Sequence, residues 1–236
     1  MKIRIIIPTF NEKSNLELLI PSLLNVFKKN KLNADILIVD DNSFDGTGVF
    51  IEKMKNKNYP INVIHRKNKL GIGSAYLIAF KRSLEEGIDI IFEMDADLSH
   101  KPEYLIDFLE KINNGYDVVI GERKKIIGWG IYRKFVSRSG NLIGKIIAGV
   151  KINDLTTGYR AYKKNVLKSL DLDKIESEGY AFQLETLYRS IKKGFKIGSI
   201  PIVFYDRKNG RSKLSKKDMF EFLIISIRIR LGRIDV

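Results

Sequence analysis

Ile88-Asp89-Ile90-Ile91-Phe92-Glu93-Met94 runs directly into Asp95-Ala96-Asp97. The first seven residues read as a short buried strand, and two carboxylates stand one residue apart just past its end. The same arrangement occurs twice upstream. Residues 3–7, rich in isoleucine and stopped by Pro8, read as a first strand followed by Pro8-Thr9-Phe10-Asn11-Glu12. Residues 36–39 read as a second strand ending in Asp40-Asp41-Asn42-Ser43. Residues 61–64 and 118–120 supply a third and a fifth. Helical periodicity fills the gaps. Asn11 or Ser14 can cap a helix through about Lys29, with Leu16, Leu19, Ile20, Leu23 and Leu24 on one face. Asp45-Gly46 opens a helix to about Lys57, Gly71 to Ser74 lead one to Glu86, and Pro102 begins another. Strands alternating with helices over short links predict an α/β fold: a mostly parallel central sheet flanked by helices, with right-handed crossovers. Ligands in such sheets sit beyond the carboxyl ends of the strands, where these acids gather.

The second half is less regular. Residues 122–151 form a basic, glycine-containing stretch that turns helix-like over 136–150. Residues 154–162 read as a polar connection, 179–193 as a helix, 197–205 as a strand and 208–214 as a basic loop. Residues 216–231 read as an amphipathic helix. The expected organisation is a catalytic body over 1–215 and a basic amphipathic helix and tail over 216–236.

Composition narrows the chemistry. The 236 residues suffice for a core that removes roughly 70–75% of the unfolded surface from water. There is no cysteine, which removes disulfides, thiolate metal sites and thiol catalysis, and two histidines leave little for a His-based centre. No signal-peptide pattern and no run near the ~20 apolar residues of a spanning helix is visible. The net charge of +14 is concentrated: residues 122–151 hold eight Lys/Arg against one acid, and 207–236 hold nine against three. Such segments imply a polyanion, an anionic membrane surface or a phosphorylated substrate nearby, or solvated faces in a lysine-rich chain.

Asp95-Ala96-Asp97 suits a hard divalent cation, which takes one or two carboxylates together with phosphate oxygens of a substrate; a turn with solvated acids is the plainer alternative. Ser99 could add a hydroxyl ligand. His100 reads as a helix-start or surface residue rather than a ligand. Asp41 could accept hydrogen bonds from a nucleotide, and because two adjacent inward carboxylates are costly, Asp40 or Asp41 should turn away or find a base. Gly71-Ile72-Gly73 lacks the residues of a P-loop or a dinucleotide fingerprint and reads as close helix–strand packing. There is no G-x-S-x-G elbow. The net charge alone would allow a nucleic-acid-binding protein, but no nucleic-acid motif is present and the acidic strand ends would repel phosphate without metal.

Pro8-Thr9-Phe10-Asn11-Glu12, Asp40-Asp41-Asn42-Ser43-Phe44-Asp45-Gly46-Thr47, Gly71-Ile72-Gly73-Ser74-Ala75-Tyr76 and Asp95-Ala96-Asp97-Leu98-Ser99-His100, in that order, resemble the family 2 glycosyltransferases with the GT-A nucleotide-sugar fold. Within that family the chain is similar to the dolichyl- and polyprenyl-phosphate mannose synthases, through Gly121-Glu122-Arg123, Arg133 to Gly140, Asp154 to Arg160, Asp206-Arg207 and Ser212-Lys213-Leu214.

The resemblance implies a set of roles. Pro8, Phe10, Glu12, Val39 and Asp41 would contact the base and ribose of the donor. Asp95, Ala96 and Asp97 would hold its diphosphate and a Mg²⁺ or Mn²⁺ ion, with Asp97 the direct ligand and Asp95 and Ser99 as further metal contacts. Arg123, Arg207 and Lys213 would bind donor phosphate or the transferring sugar, and with Asp97 form the catalytic set. Arg133 and Ser137 would meet the acceptor phosphate. The implied reaction is inverting transfer of mannose from GDP-mannose to a dolichyl or polyprenyl phosphate; glucose from UDP-glucose, or a hydroxyl acceptor, are the alternatives. Phe10 stands where the family frequently has tyrosine, and Ser99 where some members place a glutamine ligand. The implied location is peripheral, on the cytoplasmic side of a membrane, or else cytoplasmic. The helix over 216–231, with Phe220, Phe222, Leu223, Ile224, Ile227 and Leu231 among basic residues, would lie in the interface, pack on the core, or meet a small membrane partner subunit.

Overall fold

The computed structural model describes residues 1–149, 152–179, 181–207 and 216–234. Lys213 and the rest of the 208–214 loop lie outside the described residues. The strands are β1 (Ile3–Thr9), β2 (Ala34–Asp40), β3 (Ile61–His65), β4 (Ile90–Glu93), β5 (Val118–Ile127), β6 (Arg160–Lys163) and β7 (Ile197–Tyr205). They form one seven-stranded sheet in the order β3-β2-β1-β4-β6-β5-β7. β1 to β4 pair in parallel, β7 runs parallel to β5, and β6 runs antiparallel to both β4 and β5. The helices are α1 (Lys13–Lys29), α2 (Thr47–Asn56), α3 (Ile72–Glu85), α4 (Leu105–Asn113), α5 (Ile131–Ala148), α6 (Lys164–Ser169), α7 (Ala181–Lys192) and α8 (Lys216–Arg230).

Strand alternation divides the core into two layers. Ile3, Ile5 and Ile7 of β1 face α1 and α4 through Leu16, Leu19, Ile20, Phe108 and Leu109. Ile6, one step out of phase, faces the layer built on α3, α6 and α7 with Tyr76, Phe80, Val166 and Phe182. The continuous apolar runs of β1, β2 and β4 are what a sheet covered on both faces requires.

Several expectations are corrected. Residues 154–162 are not all connection, since Arg160–Lys163 is the strand β6. Its four residues are too short and too polar to announce themselves. Arg160 is nonetheless fully buried, donating Nε to Thr157 O (3.0 Å), Nη1 to Gln183 O (2.5 Å) and Nη2 to Leu155 O (2.8 Å). β5 runs on to Ile127, because its charged outer half pairs with β7 after a register shift between Arg123 and Lys125. α5 begins at Ile131, after Gly130, rather than at 136. Neither Asn11 nor Ser14 caps α1; Glu12 stands at the cap position without a side-chain hydrogen bond there. Gly73 packs on a loop and not on a strand: a Cβ would lie 2.4 Å from Ser177 O, and its amide donates to Glu178 O at 2.7 Å.

α8 has two apolar faces. Ile225 and Ile229 are buried in the α3/α7 layer and Phe222 packs against it, whereas Phe220, Leu223, Ile224, Ile227 and Leu231 are exposed. The exposed positions recur at three- to four-residue spacing, the period of one helix face. α8 crosses α5 at Gly144, where a Cβ would sit 2.6 Å from the Phe222 ring. α5 itself exposes Leu142, Ile143 and Ile146. Among the described residues no helix is long and apolar enough to cross a membrane.

Candidate active site

The loops after β1 and β2 are laced together. Asn11, left-handed at φ 55°, donates its amide to Ser43 Oγ (2.8 Å) and accepts the Phe44 amide on Oδ1 (3.0 Å). Glu12 N donates to Thr47 Oγ1 at 3.2 Å, and Lys13 N to Asp45 Oδ2 at 3.1 Å. Asp40 and Asp41 are both buried, each with its own partner. Asp40 Oδ1 accepts from Ser43 Oγ at 2.5 Å, and Asp41 Oδ1 accepts from Arg66 Nε at 2.5 Å. Burial pushes the Asp41 carboxyl above its ordinary range, and Arg66 offsets part of that. Arg66 also donates to Ser74 Oγ (2.6 Å) and Gly71 O (3.1 Å), fixing the start of α3 against the β2 loop.

A cavity of about 650 Å³ opens here, lined in part by Pro8, Glu12, Lys69, Gly71 and Ala96. Phe10 stands close by, with Lys69 Nζ 5.0 Å from its ring centroid and Phe44 edge-on at 6.0 Å. A second cavity, of about 230 Å³, is lined by Arg123, Trp129, Arg133, Ser137, Phe204 and Phe222 among others. The two share Asp95, Asp97, Arg207 and Asp218. The acidic pair past β4 is thus the wall between them.

That wall is held from several sides. Asp97 Oδ1 accepts the Ser99 amide at 3.1 Å, and Arg207 Nη2 lies 3.2 Å from Oδ2. Asp95 accommodates Gly158, where a Cβ would lie 3.1 Å from its Oδ1. Burial, and then the charge of Asp97, push the Asp95 carboxyl up to about 7. Beneath it Glu93 is fully buried, and burial raises its carboxyl to about 7 as well. His100 is buried, not superficial: its ring stacks on Tyr159 at 4.9 Å, and burial lowers its pKa to about 4, so it is neutral at pH 7.

Each cation of the second cavity has a carboxylate partner. Arg123 is bidentate to Asp154 at 2.6 Å on both oxygens and donates to Thr156 Oγ1 at 2.8 Å. Arg133 donates to Asp206 Oδ1 at 2.9 Å and lies 4.1 Å from the Trp129 ring centroid. Arg207 faces Asp97 as above.

Of the residues singled out in the sequence, Pro8, Glu12, Asp95, Ala96, Asp97, Arg123, Arg207, Arg133 and Ser137 line one or both cavities. Phe10 and Asp41 stand in the adjoining loops. Val39 is fully buried in the α3/α7 layer, so its side chain faces no cavity. Ser99 is also fully buried and reaches the site through its amide. The sequence alone assigns no role to Trp129, Asp154, Asp206, Asp218 or Glu221, which line the cavities or hold their arginines. Trp129 carried a signal, being the single tryptophan of the chain and set between two glycines in a basic stretch.

The Glycosyl transferase family 2 profile matches residues 4–171. The chain belongs to glycosyltransferase family 2. It is 40% identical over 219 residues to the undecaprenyl-phosphate mannosyltransferase of Micrococcus luteus, covering 91% of this chain and 88% of that one. It is 37% identical over 238 residues to the polyprenol monophosphomannose synthase of Mycolicibacterium smegmatis, covering 97% and 88%. In fold the transferase is similar to glucosyl-3-phosphoglycerate synthase from Mycobacterium tuberculosis, solved with Mn²⁺, UDP and phosphoglyceric acid. The TM-score is 0.69 at 16% identity, over all of this chain and 79% of that one. The transferase has the GT-A-like α/β fold that the sequence resemblance implies.

Proposed function

We propose that this transferase moves mannose from GDP-mannose to a polyprenyl or dolichyl phosphate, with inversion at the sugar. The observation that carries the reading is the shared wall: a large cavity beside the β1 and β2 loops and a smaller one flanked by three arginines meet at Asp95 and Asp97. The names of the two relatives favour mannose and a polyprenyl phosphate.

In this reading the nucleoside lies against Pro8, Phe10 and Glu12. Both Arg66 contacts of Asp41 fall on Oδ1, leaving Oδ2 for a donor hydroxyl or ring N–H. Val39 would contribute through its backbone. The donor set fits a hard divalent cation, because two carboxylates, Asp97 and Asp95, line both cavities. Among the described residues no cluster of three or more His/Cys/Asp/Glu could hold the ion without substrate. Mg²⁺ or Mn²⁺ there would neutralise charge developing on the departing diphosphate. Arg207, held at Asp97, adds a fixed positive charge on the same side, and Lys213 is proposed to join it.

Arg133 and Ser137, with Arg123, would receive the acceptor phosphate. A phosphomonoester with a second pKa near ~6 is largely dianionic at neutral pH and already a nucleophile, so no catalytic base is needed. The three guanidinium groups lower the repulsion between that dianion and the donor diphosphate.

The exposed stripes of α5 and α8 are proposed to rest on the membrane that holds the acceptor, residues 216–236 acting as a peripheral element on the cytoplasmic face; a small membrane subunit could occupy the same stripes. Basic residues near an anionic leaflet add about 1 kcal/mol each. The test is radiolabelled sugar transfer into an organic phase with GDP-mannose, UDP-glucose and UDP-N-acetylglucosamine as donors. Label retained with GDP-mannose and a polyprenyl phosphate supports the reading; label retained with a UDP-sugar instead would overturn the donor assignment.

A further inference from the structure

Asp206 directly follows β7 and gathers three parts of the second cavity on one oxygen. Its Oδ1 accepts from Trp129 Nε1 at 3.1 Å, from Arg133 Nη1 at 2.9 Å and from the Arg207 amide at 3.1 Å. The three donors come from the β5–α5 link, from α5, and from the chain beyond β7. The carboxylate is itself fixed by backbone. Its amide donates to Ile127 O at 2.8 Å, and Gly128, at φ +96°, leaves so little room that a Cβ there would sit 2.7 Å from Asp206 Cβ.

Arg133 is therefore held on two sides, by the Asp206 carboxylate at its edge and by the Trp129 ring 4.1 Å from the guanidinium. Arg133 lines the second cavity, and its Nε and Nη2 make no hydrogen bond among the described residues, which leaves these N–H groups for a ligand. A long, flexible side chain ordered before its ligand arrives does not pay that ordering on binding.

We propose that Asp206, acting with Trp129, is a positioning residue that presets Arg133 for the acceptor phosphate and so governs acceptor affinity rather than donor affinity. The inference rests on the acceptor role proposed for Arg133. The charge of Asp206 would by itself repel a phosphate, so positioning and repulsion predict opposite signs when it is removed.

The experiment uses the full chain, a polyprenyl phosphate in detergent, and initial rates of lipid labelling, with GDP affinity read by calorimetry. Asp206→Ala is expected to raise the acceptor KM about tenfold while GDP affinity stays within about twofold. Asp206→Asn keeps an acceptor oxygen for all three donors and is expected to recover most of that loss. In an Arg133→Ala background, Asp206→Ala should add less than about twofold, because the two act as one unit. A KM that falls or does not move in Asp206→Ala would overturn the inference, as would independent multiplication of the two substitutions. Equal loss of GDP affinity would place Asp206 in general folding instead. Arg133→Ala with an unchanged acceptor KM would sink the underlying acceptor assignment, a result separable from failure of Asp206 alone.

Discussion

The two cavities of this transferase, proposed for donor and acceptor, are built by different means. Beside the larger cavity, loops after β1 and β2 are laced by backbone amides donating to side-chain oxygens, such as Asn11 N to Ser43 Oγ at 2.8 Å and Thr47 N to Asp45 Oδ1 at 3.0 Å. Around the second cavity, proposed for the acceptor, stand three arginines, the third shared with the donor cavity, and among the described residues each meets a carboxylate: Arg123 meets Asp154, Arg133 meets Asp206 and Arg207 meets Asp97. Its outer surface is apolar rather than laced. The contrast follows from what each side would receive. A nucleotide with fixed hydrogen-bonding edges can be met by backbone and loop geometry. A phosphate carried on a lipid needs concentrated positive charge and a way to the membrane. Concentrated positive charge repels itself, so each cation brings its own acid.

The comparison breaks most severely at the shared wall. Asp97→Ala should reduce turnover on the order of 10²–10³-fold with folding intact, because Arg207 loses its Asp97 contact and the proposed divalent ion loses its carboxylate. Full turnover of that variant, or full turnover in excess chelator, would contradict the account.

Asp154→Ala comes next, measured as stability. It leaves the Arg123 guanidinium buried without its ion pair, and the cost should be about 3–5 kcal/mol by denaturant unfolding. Burial alone would raise the Asp154 carboxyl, but Arg123 outweighs it and holds the group below its ordinary range. The folded pKa is depressed, so the contribution is fully present above the unfolded value, near ~3.9, and is lost as pH falls through the folded one. The stability gap between the wild type and Asp154→Asn should therefore be constant near neutrality and close in acid. A gap that widened in acid would contradict the pairing.

α8 then sharpens the contrast within a single helix. Ile225→Ala, on the buried face, should cost about 2–4 kcal/mol. Arg133→Ala should raise the acceptor KM by about tenfold with nucleotide affinity nearly unchanged, and equal loss in calorimetry would move it to the donor side. The smallest stability effect belongs to the outer stripe: Leu223→Ser with Ile227→Ser should change stability by no more than about 0.5 kcal/mol each, yet abolish salt-sensitive binding to anionic vesicles. Undiminished vesicle binding would assign the contact to α5 or elsewhere.

The same division separates what could be read in the sequence from what could not. β1, β2 and β4 were legible because strands buried on both faces are unbroken apolar runs, and Asp95-Ala96-Asp97 was legible because position in the fold follows from the strand that precedes it. β6 and the outer half of β5 were not, since their polar residues are accommodated by a charged ribbon and by buried Arg160, which periodicity does not record. Asp154 and Asp206 escaped for another reason. Their partners lie 31 and 73 residues away along the chain, and acids of this kind look like loop solvent-seekers until folding brings a guanidinium to them. Lys213, read from the same resemblance, lies outside the described residues.

The most direct measurement compares a polyprenyl phosphate with the matching polyprenol, which has a hydroxyl in place of the phosphate, in the presence of GDP-mannose and Mg²⁺ or Mn²⁺. Labelled lipid is expected with the phosphate and none above background with the alcohol, because the arginine-lined cavity matches an acceptor charge that the alcohol lacks. Comparable labelling of the alcohol would contradict it.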